Sequence, residues 1–319
     1  MTNSSTIDFG PDKSQILRGL AIIFMITLHN DTLSEFKICV PIFTFLIGYG
    51  YGYAFAKEKN LRHGLKRSWH LLSHFWLILL GLFLPVAIWK GGYEPTIGDV
   101  LLNMFGLESN LNWYSWYIYF YIFAMLAMIP ASRLIQRFKL PALGALILLS
   151  LCLCFAIHLI PDWRANVYLQ AIHDCFLCSP VMFSGFYLAD GGGITCLEIR
   201  HSFKNALLAL LVATGIFFLR GIPYVTFLDF ATVPVFVAAI VALFNIIDWQ
   251  PIHRLLIALG KESMNMWFIH AIFATACTAV VFAPLVDWLQ PKTVHILGMI
   301  IISFCIGKLF TAAYNRISE

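Results

Sequence analysis

Charge is what this sequence has least of. Asp, Glu, Lys and Arg make up 12% of its 319 residues against 60% hydrophobic types, and the mean hydropathy is +0.80. An ordinary soluble domain is about one quarter charged, so the soluble globular classes are excluded. The basic residues sit in short clusters beside apolar runs rather than on a broad positive face, which excludes nucleic acid as a partner. Polar linkers, low-complexity tracts and internal repeats are absent, so residues 1–319 read as one membrane-embedded domain without a large soluble catalytic unit. The opening MTNSSTIDFGPDKSQ lacks the charged-then-apolar pattern and small-residue cleavage site of a secretory signal, so no cleaved leader is expected. A disulfide framework is missing too. The eight cysteines are scattered, nearly all in apolar runs, and Cys175-x-x-Cys178 reads as core packing. No Walker loop, dinucleotide fingerprint or nucleophile elbow occurs. His70 and His74 have a metal-binding spacing but no third ligand, so no metal and no permanently bound cofactor are expected.

What is there is a series of apolar runs long enough to cross a bilayer, at about 20 residues each. Ten are expected: 15–31, 38–56, 69–89, 113–130, 141–160, 167–188, 204–220, 225–247, 264–285 and 293–312. The loops between them alternate in charge. One set carries Lys13 with Arg18; Lys57, Lys59, Arg62, Lys66 and Arg67; Arg133, Arg137 and Lys139; Arg200 and Lys204; Arg254 and Lys261; and Arg316. The opposite set has only Lys37, Lys90, Arg164, Arg220 and Lys292, with Lys308 left inside the last run. The positive-inside rule then gives an all-α, polytopic bundle of about ten spans in the plasma or inner membrane, both termini cytoplasmic. In the outer segment 90–112, Gly91, Gly92 and Pro95 precede an apolar piece, Val100–Leu107, too short to span and read as re-entrant or interfacial. Trp89, Trp113, Tyr114, Trp116, Tyr117 and Trp288 fall near outer boundaries and read mostly as an aromatic belt.

The stretch Ile16–Asn30 holds an apolar run between Arg18 and His29. Eleven residues at 100° each leave the two about 20° from one stripe of a helix and about 16 Å apart along its axis. An ionisable side chain in a membrane helix faces a bundle interior or a wet cavity by default. Snorkelling of Arg18 to lipid phosphates, with His29 at the outer interface, is the bland alternative, and spacing alone leaves both open. His173, Asp174, Asp229 and His270 are other ionisable residues within apolar runs, candidates to face the same interior and orient His29, or else to pair within the bundle.

The Arg18-x10-His29 span resembles the acyltransferase 3 family of integral-membrane acyltransferases. Further likenesses follow in order. Pro41–Gly52 (PIFTFLIGYGYG) looks like that family's second-span P-x-F-x-F-x-S-G-Y pattern, and Trp113–Pro130 is similar to its aromatic span ending in proline. Ser179–Ala189 (SPVMFSGFYLA) resembles its P-x-F-x-x-G segment, and Glu262–His270 (ESMNMWFIH) its late S-x-x-x-Y-x-x-H element. Two departures stand out: Ile47 where the pattern often has Ser, and Trp267 where it often has Tyr. The resemblance implies transfer of an acyl group, commonly acetyl, from cytoplasmic acyl-CoA to a hydroxyl of an extracytoplasmic polysaccharide or glycolipid. It implies His29 as general base or as carrier of an acyl group, with Arg18 beginning the same stripe. Arg18, Arg62, Arg67 and Arg133 lie on the basic side, where guanidinium groups can fork around CoA phosphates.

Two other readings stay open on the sequence. A transporter or flippase for a lipid-linked glycan fits the composition, though it leads one to expect internal repeats. A relay subunit handing acyl groups to a separate extracytoplasmic partner protein fits as well. The order of the motifs favours the enzyme.

Overall fold

The computed structural model describes residues 4–6, 9–30, 33–55, 61–90, 92, 94–112, 114–190, 198–200, 202–222 and 224–318. Lys57, Lys59, Gly91 and Trp113 of the sequence reading lie outside the described residues. Among the described residues the regular structure is helical apart from a pair of three-residue strands, β1 (Ser4–Thr6) and β2 (Glu198–Arg200), which run antiparallel with Ser4 opposite Arg200.

The helices in order are α1 (Pro11–Asn30), α2 (Cys39–Phe55), α3 (Leu61–Ile78) and α4 (Leu84–Trp89), the last two joined through a wide turn at Leu79–Phe83. They are followed by α5 (Ile97–Met104), α6 (Tyr117–His158), α7 (Val167–Asp190), α8 (Phe203–Leu219) and α9 (Asp229–Ile246). The chain closes with α10 (Gln250–Ile269), α11 (Ala276–Phe282), α12 (Pro284–Asp287) and α13 (Lys292–Ser318). Among the described residues five segments are long and apolar enough to cross a membrane: Gly64–Trp89, Tyr117–His158, Val167–Asp190, Val225–Ile246 and Lys292–Ile317. Counting α10 with α11 as one bent segment makes six, against the ten read from hydropathy. Large apolar side chains such as Leu148, Phe155, Leu211, Phe218 and Leu309 point outward from α6, α8 and α13. A surface of that kind suits lipid, not water.

Three of the expected spans are reshaped by local chemistry. Runs 113–130 and 141–160 are one helical stretch, bent where Lys139 adopts φ 52° just before Pro141. Proline cannot donate back into the preceding turn, so the helix restarts there. Gln136 and Lys139 fix the bend by donating to the Asp190 carboxylate at 3.0 Å each. The run 264–285 is not a continuous span. Its helix begins earlier, at Gln250 with Pro251 in the first turn, ends at Ile269, and gives way to α11 at 87°. The break is stabilised by Thr278, whose hydroxyl lies 3.1 Å from the Ile272 carbonyl and 3.2 Å from that of Thr275. Where Val100–Leu107 was expected, α5 starts earlier because Thr96 and Asp99 form a capping box. It ends at Met104, and two residues on the turn passes through Gly106, whose φ of +71° suits glycine.

Without a hydrophobic driving force between helices in lipid, close backbone approach has to hold them together. Two reciprocal glycine contacts supply it. A side chain at Gly19 would collide with the Leu256 carbonyl, and one at Gly260 with the Gln15 carbonyl. Gly48 and Gly185 stand in the same relation to Met182 and Phe45 across α2 and α7. The first contact matters most for the site, because it crosses α1 and α10 beside Arg18 and lets both run on together to His29 and His270. Lys308, stranded by the hydropathy reading, pairs with buried Glu262 at 3.1 Å. Glu262 also accepts from Thr311 at 2.7 Å, and Asn265 donates to Thr311 at 2.8 Å. An unpaired charge at this depth would cost about 3 kcal/mol or more, which the network offsets.

Candidate active site

α1 and α10 each end in a histidine. His29 occupies the last turn of α1, and His270 opens the tight turn His270–Phe273 that terminates α10. His29 Nδ1 and His270 Nε2 are 2.8 Å apart, with ring planes 7° from parallel. The other nitrogen of His270, Nδ1, lies 3.1 Å from the Met266 carbonyl oxygen. A carbonyl can only accept, so His270 Nδ1 carries the hydrogen. In the neutral ring its Nε2 then holds a lone pair, which accepts the Nδ1–H of His29. That leaves the lone pair of His29 on Nε2, an atom with no hydrogen-bond partner among the described residues. His270 is 1% exposed and His29 partly exposed, so the outer member of the pair is the accessible one.

Tyr114 fixes both rings from above. Its phenol ring stacks on His29 at 3.8 Å and on His270 at 4.6 Å, within 10° of parallel to each. The loop carrying it is tied to α10 at two points. Asn112 donates to the Phe268 carbonyl at 3.0 Å, and Trp267 Nε1 donates to the Tyr114 carbonyl at 3.1 Å. Tyr114 and Tyr117 are buried, at 9% and 7% exposure, so the aromatic-belt reading does not hold for them. Trp89 and Trp288, in contrast, are more than 70% exposed.

Below the pair lies a cavity of about 330 Å³. Arg18, Arg67, His70 and Lys261 line its polar part, and Phe43, Ile47, Tyr117 and Trp267 are among its apolar walls. Among the described residues no carboxylate pairs with Arg18 or Arg67, so two guanidinium groups share one hollow without a counter-anion. Tyr117 and Trp267 stack at 4.5 Å, and Phe43 meets Trp267 edge-on at 5.0 Å. Trp267 stands three residues before His270, and Tyr117 three after Tyr114, about one turn in each case. A single aromatic layer therefore separates the cationic cavity from the histidine pair. Arg18 and His29 face the bundle interior as their shared stripe requires, but only Arg18 lines the cavity. Ile47 and Trp267, the two departures from the family pattern, are both in its wall.

The remaining sequence candidates separate. Arg62 and Arg133 are exposed and do not line the cavity. Asp229 is buried and pairs with buried Arg220 at 3.1 Å. His173 and Asp174 form another cluster, with His173 Nδ1 3.1 Å from Asp174 Oδ1. His29, Arg18, Arg67 and His270 are legible as candidates in the sequence, whereas the platform residue Tyr114 is not. The signal for it was weak, since an aromatic residue at a helix start near the interface has the same appearance as a belt residue.

The sequence pattern of a known family, described as an acyltransferase domain of the acyltransferase 3 type, matches residues 13–312. Comparison with curated proteins and with solved structures gave no match.

Proposed function

The chain belongs to the acyltransferase 3 family, and from that premise we propose that it moves an acyl group, acetyl in the first instance, from cytoplasmic acyl-CoA to a hydroxyl of an extracytoplasmic polysaccharide or glycolipid. In this reading the chain crosses the plasma or inner membrane about ten times, with both termini and the basic loops cytoplasmic. Three contacts support that sidedness by joining segments the charge rule put together: β1 with β2, the α6 bend with the end of α7, and Lys13 with the Phe244 carbonyl at 2.7 Å.

The donor enters at the cationic cavity. Its phosphates meet Arg18 and Arg67, whose planar forks suit bidentate contacts, with Lys261 adding point charge. The pantetheine arm runs toward the apolar walls at Tyr117 and Trp267, whose bulk limits the size of the acyl group. The thioester then crosses the aromatic layer, one helical turn, to His29. There His29 Nε2 takes the proton of the acceptor hydroxyl, and the oxygen attacks the thioester carbonyl. The carbon–sulfur bond breaks, CoA leaves as thiolate, and the proton on His29 passes to it. His270 acts as a positioning residue: its Nε2 holds the Nδ1–H of His29 in place and accommodates the charge that builds on the ring. The observation that carries the proposal is the ordered chain Met266 carbonyl, His270, His29, ending on partly exposed His29 in a nitrogen without a partner among the described residues.

The test uses sealed vesicles of both orientations containing the full chain and host glycans, supplied with radiolabelled acetyl-CoA. Label should reach glycan or protein only when CoA meets the cytoplasmic face. Movement of glycan without use of the thioester from either face would overturn the proposal in favour of transport.

A further inference from the structure

A second cluster of ligand-type side chains lies where α6 ends and α7 begins. Cys154 and His158 are four residues apart, one above the other on α6, and His173 faces them from α7. The Cys154 sulfur and one ring nitrogen from each histidine all lie within 4.8 Å of one another, and His158 Nε2 is 2.9 Å from His173 Nε2. Tetrahedral zinc with one sulfur and two nitrogens needs nitrogens about 3.3 Å apart and sulfur–nitrogen distances of about 3.6 Å, given bonds near 2.3 and 2.05 Å. Shifts of under an ångström per side chain reach that geometry.

What lies behind the cluster prepares it for a cation. Asp174 Oδ1 faces His173 Nδ1 at 3.1 Å, and its Oδ2 accepts from the Tyr119 hydroxyl at 3.0 Å. A carboxylate can only accept, so His173 holds its hydrogen on Nδ1 and offers the Nε2 lone pair to the cluster. This is the carboxylate–histidine arrangement that orients metal-binding imidazoles and makes them better donors. The indole of Trp163 lies against both histidine rings, at 4.8 and 4.4 Å, closing one side with apolar surface. Cys154 and His173 are buried, whereas His158 is exposed, which gives an ion a way in.

We propose that Cys154, His158 and His173 bind one zinc-class divalent ion, with Asp174 orienting His173 and the fourth position open. The charges balance: a dipositive ion meets one thiolate and, through His173, one carboxylate. A thiolate with two imidazoles favours zinc over the oxygen-seeking magnesium and calcium. Loading releases the Cys154 thiol proton to solvent and moves the His158 proton from Nε2 to Nδ1. Without metal, His158 Nε2–H donates to His173 Nε2, so the empty cluster is also satisfied and loading is a binding equilibrium.

The experiment treats the purified full chain in detergent with chelator and titrates it with Zn²⁺, or with Co²⁺ as a spectroscopic probe. One equivalent of Zn²⁺ should bind beyond that taken up by Cys154→Ser and by His173→Ala. Mg²⁺ should not compete at a hundredfold excess. Bound Co²⁺ should show a thiolate-to-metal charge-transfer band that Cys154→Ser removes. Equal Zn²⁺ uptake by wild type and both variants, or a Co²⁺ complex of the wild type without a thiolate band, would overturn the proposal. The band is read on the unaltered chain, so the test does not depend on the variants folding.

Discussion

His29 and His270 face each other at the ends of α1 and α10 across 2.8 Å, and His158 and His173 at the ends of α6 and α7 across 2.9 Å. The two pairs differ in what stands behind them. Behind His270 is a backbone carbonyl, a neutral acceptor that fixes the tautomer without adding charge. Behind His173 is a carboxylate, and beside the pair a cysteine. The first setting suits a ring that must take up a proton and release it again. The second suits rings that hold a dipositive ion. Covering groups follow the same division: Tyr114 lies flat over both rings of the first pair, fixing their plane, while Trp163 closes one side of the second and leaves His158 exposed.

Changing the backing groups separates the two pairs experimentally. The largest effect of that kind is expected at His270. His270→Leu removes the acceptor for the Nδ1–H of His29 and should lower acyl transfer about a hundredfold at unchanged KM for the donor. His270→Gln offers an amide oxygen in its place and should recover most of that loss, an outcome that steady-state kinetics on the two variants will show. At the other pair, Asp174→Asn should weaken Zn²⁺ binding roughly tenfold or more, as removal of an outer partner does at metal sites, readable by competition with a chelator. Arg18→Ala should raise the KM for acetyl-CoA by about tenfold, the worth of one charged hydrogen bond, with kcat little changed. Arg18→Lys should recover part of the loss. Trp267→Ala should have the smallest effect on acetyl transfer itself while raising the use of longer acyl donors relative to acetyl by roughly tenfold.

The first pair was half legible in the sequence and the second was not. Arg18 and His29 stand out because they interrupt one apolar run at a spacing that sets both on one stripe. His270 came through the family likeness of Glu262–His270. Their partnership could not be read, because it depends on the α10 break at residues 270–275, and a hydropathy window averages over such a break. The earlier start of α10 was hidden by Arg254, Lys261 and Glu262, which lower local hydropathy although Glu262 is neutralised by Lys308 from α13. The bend at Lys139 was legible in outcome only: two runs were expected, and Pro141 separates them within one helical stretch. The Cys154 and His158 spacing was present in the sequence but had no visible third ligand. His173 joins them only through the packing of α7 on α6, and Cys175-x-x-Cys178, the more conspicuous pattern, takes no part in the cluster.

In the proposed mechanism His29 performs the chemistry while the cavity below it holds the donor, and the two can be measured side by side on one variant. In membranes carrying His29→Ala, a non-transferable acetyl-CoA analogue should bind with its wild-type dissociation constant. Label transfer from acetyl-CoA should fall at least a thousandfold, to background. Transfer within tenfold of wild type, or loss of donor binding together with transfer, would contradict this division of roles.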